Sequence, residues 1–349
     1  MFNVLQRDIL SGKYRPGGKL PSEAALVKQF GASRITVGRA VRDLREQGLV
    51  ERRAGSGTYV RQAKSNGSGL LFGLLIPDLG ETEIFEPICE GMAGSPEAGQ
   101  HALLWGATNS STGTKEERSW RLAEQYISRN VAGVFFAPLE LTPSKDEVNQ
   151  RIVRALEQAR IPLVLLDRCI LPYPHRSRHD LVGIDNRRAG YLAAEHLLML
   201  GRRRIFFYAQ PYSAPTVDAR FAGYREALTA SGIATHAVVS DVERVMKTGR
   251  PDAFVCANDR TAGQLMHRLM ALRVRVPKEV AIVGMDDVEY ATLLPVPLTT
   301  IHQPCREIGE AAMSVMLERV ARPNMLARDV LLDCRLVVRA SCGTRSRAA

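Results

Sequence analysis

Four polar residues have the side-chain types that bind hydroxyl groups. Asp167, Asn258 and Asp286 each directly follow a short apolar run, and Arg220 lies near the start of a helical run, after a loop. Carboxylates and amides accept from or donate to hydroxyls, and a guanidinium donates in a fixed fork. Burying such groups without a hydroxylated partner is costly. The four residues therefore predict a wet cleft that binds a polyol.

A structural role is the alternative for each of these positions. Carboxylates and amides at strand-to-helix turns often serve only as helix N-caps. For Asp259 and Asp287 the capping role and the ligand role are equally favoured, whereas ligand contact is favoured for Arg220, Asn258 and Asp286.

The elements that must position these residues follow a regular alternation from residue 70 onward. Short apolar runs such as 71–76, 133–137 and 280–285 alternate with amphipathic segments such as 115–129 and 259–272. Buried strands of a parallel sheet and the helices that cover them have this pattern. We expect two α/β lobes around a cleft, with ligands outside the carboxyl ends of the strands.

The first sixth of the chain carries a different chemistry, because it is strongly basic. Residues 1–61 hold 12 Lys and Arg against 5 Asp and Glu, a net charge of +7, whereas the other 288 residues hold 35 against 32, a net of +3. This localised charge is the pattern expected of a DNA-binding module.

Two helices and a hairpin are predicted in this basic segment. Ser22 and Ser33 are N-cap candidates for helices separated by Gly31. The second helix would bury Val37, Ala40, Val41 and Leu44 and expose Arg34, Thr36, Arg39 and Arg42. Such a helix-turn-helix places its second helix in the major groove. A narrow hairpin, or wing, follows, with Arg52 and Arg53 beside a Gly55-Ser56-Gly57 tip.

We therefore assign DNA contacts to the second helix of this segment and to its hairpin. Arg34, Thr36 and Arg39 would contact bases or adjacent phosphates, and Ser22, Ser33, Arg52 and Arg53 the backbone. Gly55, Ser56 and Gly57 would allow the wing tip to approach closely. A helical bundle with solvated arginines is the alternative, but a merely solvated surface more often mixes charge signs.

The segment also resembles the GntR-type winged helix-turn-helix. The matching residues include Leu20-Pro21-Ser22-Glu23, Ser33-Arg34, Thr36-Val37, Gly48-Leu49-Val50 and Gly55-Ser56-Gly57-Thr58-Tyr59-Val60. Gly38 stands where that family commonly has a base-reading arginine, and Ala24 where it often has Arg. Both departures bear on the operator sequence and leave the fold unaffected.

The rest of the chain resembles the LacI/GalR effector-binding domain. The matching runs include Asp185-Asn186, Arg220-Phe221-Ala222-Gly223-Tyr224, Ala257-Asn258-Asp259 and Gly284-Met285-Asp286-Asp287. The resemblance implies a periplasmic-binding-protein-like fold, in which positions matching Arg220, Asn258, Asp286 and often Asp167 contact effector. Ala137 replaces a polar residue of several sugar-binding members.

The resulting architecture is α/β, an N-terminal winged helix-turn-helix followed by a two-lobed domain with parallel sheets. We expect a DNA-binding domain over 1–61, a Gly/Ser-rich linker over 62–69 and an effector and dimerisation domain over 70–342. The first lobe would comprise about 70–170 and 300–325, and the second about 175–297 and 328–342. This combination is that of the AraR-like subfamily of GntR regulators.

Several classes of function lack their sequence signatures. There is no nucleophile elbow, His-Glu-x-x-His motif or phosphate-binding loop, and neither the six cysteines nor the seven histidines have metal-ligand spacing. We therefore expect no catalytic residue, metal or cofactor. No apolar run is long enough to span a membrane and no signal peptide begins the chain, so a cytoplasmic location is expected.

The sequence thus predicts a homodimeric bacterial transcriptional regulator, a repressor, that binds operator DNA and is released by a small effector, a sugar. A purine- or phosphate-liganded regulator of corepressor type is the main alternative, and a sugar-processing enzyme is a weaker one. The effector's identity, the operator, the sign of the response and the presence of residues before Met1 stay open.

Overall fold

The computed structural model describes residues 1–349 except 3, 6, 7, 9–13, 15–17, 47, 48, 54, 55, 61–68, 78–82, 107–112 and 345–349, and gives only the backbone of residues 46, 51 and 53. The chain divides into two compact units, Met1–Gly69 and Leu70–Ala349. The predicted linker 62–69 lies outside the described residues except for Gly69. Of the helices within the described ranges, none is both long and apolar enough to cross a membrane.

Among its described residues, the N-terminal unit includes two helices and a hairpin. Helices α1 (Glu23–Phe30) and α2 (Arg34–Glu46) are followed by antiparallel strands β1 (Val50–Arg53) and β2 (Gly57–Val60). Ser22 Oγ accepts a hydrogen bond from the Ala25 amide at 3.2 Å, and Gly31 is left-handed with φ 60°. Both local predictions are confirmed. The core of the unit contains Leu5, Leu20, Leu26, Val37, Leu44, Val50 and Val60.

The second unit has two sheets, each covered by helices. The six-stranded sheet has the order β12-β7-β6-β5-β3-β4 and is parallel throughout. Its strands are β3 (Leu71–Leu75), β4 (Ala102–Trp105), β5 (Gly133–Phe136), β6 (Leu163–Leu166), β7 (Asp180–Ile184) and β12 (Asp329–Leu332). We call this sheet and its helices the first lobe.

The second lobe is built on the five-stranded sheet β13-β11-β10-β9-β8, in which only β13 is antiparallel. Its strands are β8 (Ile205–Tyr208), β9 (Ala253–Cys256), β10 (Ala281–Asp286), β11 (Thr299–His302) and β13 (Arg335–Val337). The helices of the unit are α3 (Phe85–Gly94), α4 (Lys115–Ser128), α5 (Lys145–Gln158), α6 (Asn186–Met199), α7 (Pro215–Ala230), α8 (Val242–Thr248), α9 (Asp259–Ala271) and α10 (Cys305–Ala321).

The chain passes from one lobe to the other at positions that differ from those expected. We expected 180–184 and 329–332 in the second lobe, but β7 pairs with β6 and β12 pairs with β7 in the first. Residues 299–302 were expected in the first lobe, but β11 pairs with β10 in the second. A strand joins the sheet that offers it a pairing partner, and the order of α/β units along the chain does not reveal that partner.

Two helix pairs pack at very short range because glycines face each other. A Cβ added at Gly190 of α6 would overlap the Arg220 carbonyl oxygen, and one at Gly223 of α7 would overlap that of Arg187. In the first lobe, α3 and α10 meet in the same way at Gly91 and Gly309. The α6–α7 contact matters for the site, because α7 carries Arg220.

Candidate functional site

Arg220 is buried in the second lobe next to the residue that follows β9, and it is held by two neighbours. The residue is 4% exposed. Its Nε donates to Asn186 Oδ1 at 2.7 Å, and its Nη1 donates to the Ala257 carbonyl at 2.6 Å. These bonds fix the plane of the guanidinium and leave Nη2 directed toward Asp286.

Asp286 ends β10 next to this guanidinium. Arg220 Nη2 lies 3.7 Å from Asp286 Oδ1, and Gln303 Nε2 donates to the same oxygen at 2.6 Å. The backbone at Asp286 has φ 113°, a left-handed value that a non-glycine residue rarely adopts. Burial raises the pKa of Asp286 to about 7, with Arg220 opposing the rise and the charge of Asp167 adding to it.

Asp167 follows β6 in the first lobe and is 5% exposed, with φ 65°. Its Oδ2 accepts from Arg168 Nε at 3.1 Å. Its Oδ1 is buried and has no hydrogen-bond partner among the described residues. Because its charge acts on Asp286, the two carboxylates from different lobes approach the same region. A buried acceptor without a partner has a free-energy cost that a hydroxylated ligand would remove.

Arg168 and Glu140 extend this polar cluster. The two form an ion pair. Burial would raise the pKa of Glu140, but Arg168 beside it brings that pKa below its ordinary value. Neither residue was singled out from the sequence. Gln303 was also missed, although it directly follows β11, which is the same signal that identified Asp167.

Asn258 directly follows Ala257, whose carbonyl accepts from Arg220, but its side-chain oxygen has a capping function. Its Oδ1 accepts from the Thr261 amide at 2.8 Å and lies 2.5 Å from Thr261 Oγ1, at the start of α9. The capping alternative therefore describes this oxygen. The residue is only partly buried, so ligand contact through its amide nitrogen stays a prediction.

Asp259 and Asp287 are engaged with other parts of the lobe. Asp259 is fully buried, and it accepts from Thr300 Oγ1 at 2.6 Å and from the Val288 amide at 3.2 Å. Asp287 lies 2.9 Å from His302 Nδ1 and accepts from Arg339 Nη2 at 2.6 Å. Asp259 is the first residue of α9, and Asn258 caps that helix instead. The carboxylate of Asp287 does not cap a helix either, so the capping interpretation is wrong for both. They connect β9 and β10 to later strands instead.

Asp286 and Gln303 also line a pocket of about 770 Å³ that extends to the N-terminal part of α3. Ile84, Pro87, Val288 and Tyr290 are among the residues of its apolar wall. Its carboxylates are Glu83, Glu86, Glu90, Asp286, Asp287, Glu289 and Glu307. Its negative charge strongly disfavours a phosphorylated ligand.

The predicted DNA-contacting residues lie on α2 and the hairpin of the N-terminal unit. Arg34, Thr36, Arg39 and Arg52 are exposed, so they are free to meet a partner. Ser33 Oγ accepts from the Thr36 amide at 3.2 Å and lies 2.8 Å from Thr36 Oγ1, so it caps α2.

At the hairpin tip, β1 and β2 pair up to Arg53 opposite Gly57. Ser56 is exposed, and its Oγ lies 2.6 Å from Tyr59 Oη. Gly57 has φ 122°, and a Cβ there would lie 2.8 Å from Lys19 Cε, so this position requires glycine. Gly55 and the side chain of Arg53 lie outside the described residues.

Comparisons with known proteins agree with both parts of the structure. Residues 2–60 match the family described as bacterial regulatory proteins, gntR family, and residues 194–342 match a periplasmic binding protein-like domain. An arabinose metabolism transcriptional repressor of Geobacillus stearothermophilus is 28% identical over 95% of this chain and 94% of its own length. The ribose operon repressor of Escherichia coli strain K12 is 28% identical over 65% of this chain and 69% of its length.

A solved structure shares the fold of the second unit. The LacI family transcriptional regulator from Enterococcus faecium, with bound ribose, superposes with a TM-score of 0.63 at 22% identity, over 78% of this chain and 98% of that one. This likeness establishes a common two-lobed architecture.

The two units and these relatives define a bacterial transcriptional regulator that binds DNA and responds to a ligand. The chain combines a gntR-family DNA-binding domain with a periplasmic-binding-protein-like domain, which is the AraR-like arrangement among GntR regulators. Both relatives are named as repressors and not as enzymes, and the gntR-family match over residues 2–60 identifies this chain as a regulator.

Proposed function

We propose that the protein is a repressor that a neutral sugar releases from its operator. The sugar would bind between the lobes, where its hydroxyls contact Arg220, Asp286 and Asp167, with Asn258 at the edge. The names of the arabinose and ribose repressors among the relatives support a sugar. The unpartnered oxygen of buried Asp167, a carboxylate whose charge acts on Asp286 beside Arg220, is the observation that carries the proposal.

The groups in the cleft favour hydroxyls over other ligand chemistries. An arginine fork and a carboxylate can bind neighbouring hydroxyls at the same time, one as donor and the other as acceptor. A phosphate would approach Asp167, Asp286 and Glu140 against their negative charge. A purine would need a large flat apolar surface, whereas seven of the sixteen described residues that line the pocket are carboxylates. We therefore place the phosphate- and purine-liganded alternatives second.

Ligand binding would act on DNA through the relation between the lobes. Asp167 belongs to the first lobe and Arg220 and Asp286 to the second, so a sugar held by all three would favour the closed arrangement. Closure weakens operator binding only if the closed state binds the operator less well, because a ligand shifts an equilibrium by its differential affinity for the two states.

The regulator would act in the cytoplasm as a homodimer. The second unit, over 70–342, would pair isologously and place two DNA-binding domains, each over 1–61, on a roughly two-fold operator. Exposed apolar side chains such as Leu293, Leu326 and Met270 are available for such pairing. In each domain, Arg34, Thr36 and Arg39 of α2 would contact bases, while Arg52, Arg53 and the wing tip would follow the backbone.

Thermal unfolding in the presence of pentoses, hexoses, sugar phosphates and purines tests the ligand class. A specific ligand at 100 times its dissociation constant stabilises the folded state by about 2.7 kcal/mol. We expect one neutral sugar to raise the midpoint, and its phosphate ester to fail. Stabilisation by purines or phosphate esters alone would overturn the sugar proposal and favour the corepressor-type alternative.

A further inference from the structure

Ile35 is an apolar side chain placed in the middle of the basic surface of α2. It is the second residue of the helix and is 85% exposed. Within the described residues of the N-terminal unit, no other large hydrophobic side chain is exposed to this degree. Its neighbours Arg34 and Thr36 are exposed too, and none of the residues described in this unit covers it.

Gly38 lies one helical turn from Ile35, beside Arg39 on the same face. Its φ is not in the left-handed region, and a Cβ added there would meet nothing within 4 Å. Glycine in a helix is destabilising relative to alanine, and neither backbone geometry nor packing within the chain requires it here. The empty space at Gly38 is therefore best explained by a partner outside the chain.

Duplex DNA is the partner that fits this surface. Arg34, Arg39 and Arg42 are exposed around Ile35, and residues 1–61 carry a net charge of +7 from 12 basic and 5 acidic residues. The second helix of a helix-turn-helix enters the major groove with its N-terminal residues against base edges. In that groove the thymine 5-methyl group is the feature that an apolar side chain contacts.

We propose that Ile35 and Gly38 form an apolar notch that reads the 5-methyl group of a thymine in each operator half-site. Ile35 packs on the methyl group, and Gly38 lets the helix backbone approach the base. Thr36 is less suited to this role, because it offers a single methyl group, whereas Ile35 offers a larger apolar side chain. The proposal rests on operator binding by α2, and adds a specificity determinant to the arginines assigned above.

Replacing thymine by deoxyuridine tests the notch directly, because this change removes only the 5-methyl group. An operator would first be selected from random duplexes with the full-length protein, and each thymine then replaced in turn. At one position per half-site we expect an affinity loss of about fourfold, the factor for one buried methyl group. Ile35→Ala should lose a similar factor on the thymine operator and no longer distinguish the two bases.

Two further variants separate this reading from general damage to DNA binding. Arg39→Ala should bind more weakly but keep the thymine preference. Gly38→Ala should fold at least as stably as the parent, since its Cβ meets nothing, yet bind the operator more weakly.

An Ile35→Ala variant that still prefers thymine, or a parent protein indifferent at every thymine, would overturn the notch and leave operator binding standing. Unchanged affinity in Gly38→Ala would overturn the close approach of the backbone. Selection of no duplex at all would overturn operator binding and the notch together.

Discussion

Arg220 Nη2 and Asp286 Oδ1 lie 3.7 Å apart, both on residues that are more than nine-tenths buried. This distance is too long for a hydrogen bond, so the two side chains lie close together without a direct hydrogen bond between these atoms. Asn186 and Ala257 accept hydrogen bonds from Arg220, and Gln303 donates one to Asp286. A ligand hydroxyl at this position would meet a donor and an acceptor whose orientations are already set.

Substitution of Arg220 should separate effector response from DNA binding. Arg220→Ala should bind the operator normally but no longer respond to effector. It should also unfold more easily by roughly 3 kcal/mol, because it leaves Asp286 buried without its countercharge. Fluorescence anisotropy with labelled operator and chemical denaturation measure the two effects.

Two companion variants sharpen this test. Arg220→Lys keeps the charge but lacks the fork, so it should fold better than Arg220→Ala and still respond weakly. Arg188→Ala on the neighbouring helix removes an exposed arginine paired with Asp333 and should change neither property. A normal effector response in Arg220→Ala would show that the pocket is assigned wrongly.

The buried carboxyl of Asp286 should make stability depend on pH. Burial raises its folded pKa to about 7 from an ordinary value of 3.8, so between these values the folded state binds the proton more tightly than the unfolded state does. Stability from this group is therefore lost as pH rises from about 4 to about 7, and stays constant above that.

Asp286→Asn should lack this loss. The stability of the variant relative to the parent should rise with pH over the same range, by at most about 4 kcal/mol. Denaturation midpoints at several pH values measure the difference, and Asp333→Asn, whose carboxylate is 79% exposed, is the matched control. A difference between variant and parent that is constant from pH 5 to 8 would argue against a raised pKa at Asp286.

The glycine contact between α6 and α7 should be needed for both stability and effector binding. Gly223→Ala would force α7 away from the Arg187 carbonyl and shift Arg220 with it. We expect a stability loss of about 1–3 kcal/mol, typical of overpacking, together with weaker effector binding. Gly94→Ala in α3, where a Cβ meets nothing within 4 Å, should cause neither loss. Equal stability and equal effector binding in the two variants would show that the close contact between α6 and α7 does not require Gly223.

Arg39 and Arg52 should differ in how they contribute to DNA binding. Arg39→Ala should lower operator affinity and relax specificity at one base pair, while effector binding is unchanged. Arg52→Ala should weaken all sequences alike and reduce the slope of log affinity against log salt by about 0.9. Titrations at several salt concentrations with operator and unrelated DNA distinguish the two patterns. If the salt slope is unchanged in Arg52→Ala, then Arg52 of the wing does not contact a phosphate.

Local signals in the sequence were sufficient for most of the helices and strands. Ser22 and Gly31 delimit α1 as expected, and the periodic burial of Val37, Ala40 and Leu44 on α2 follows from helical spacing. Capping, backbone handedness and side-chain periodicity each depend on a few consecutive residues, which is why they can be read without the fold.

Strand pairings and side-chain contacts between residues far apart in the chain were harder to predict from the sequence. The sheet to which β7 or β12 belongs depends on a partner strand far away in the chain, and this is where the predicted lobe boundaries were wrong. The partners of Asp259 and Asp287 come from β11 and from Arg339, beyond β13. Strand-end position indicated Asp286 and could also have indicated Gln303, whereas Glu140, which does not directly follow a strand, emerged only from the folded chain.

Operator binding measured across a panel of sugars, sugar phosphates and purines tests whether a sugar bound at Arg220 releases the protein from DNA. A labelled operator bound to the full-length protein would be titrated with each compound, for the parent protein and for Arg220→Ala. We expect one neutral sugar to lower the operator affinity of the parent and to have no effect on Arg220→Ala. Release by a purine or a phosphate ester alone, or equal release of both proteins by the sugar, would contradict it.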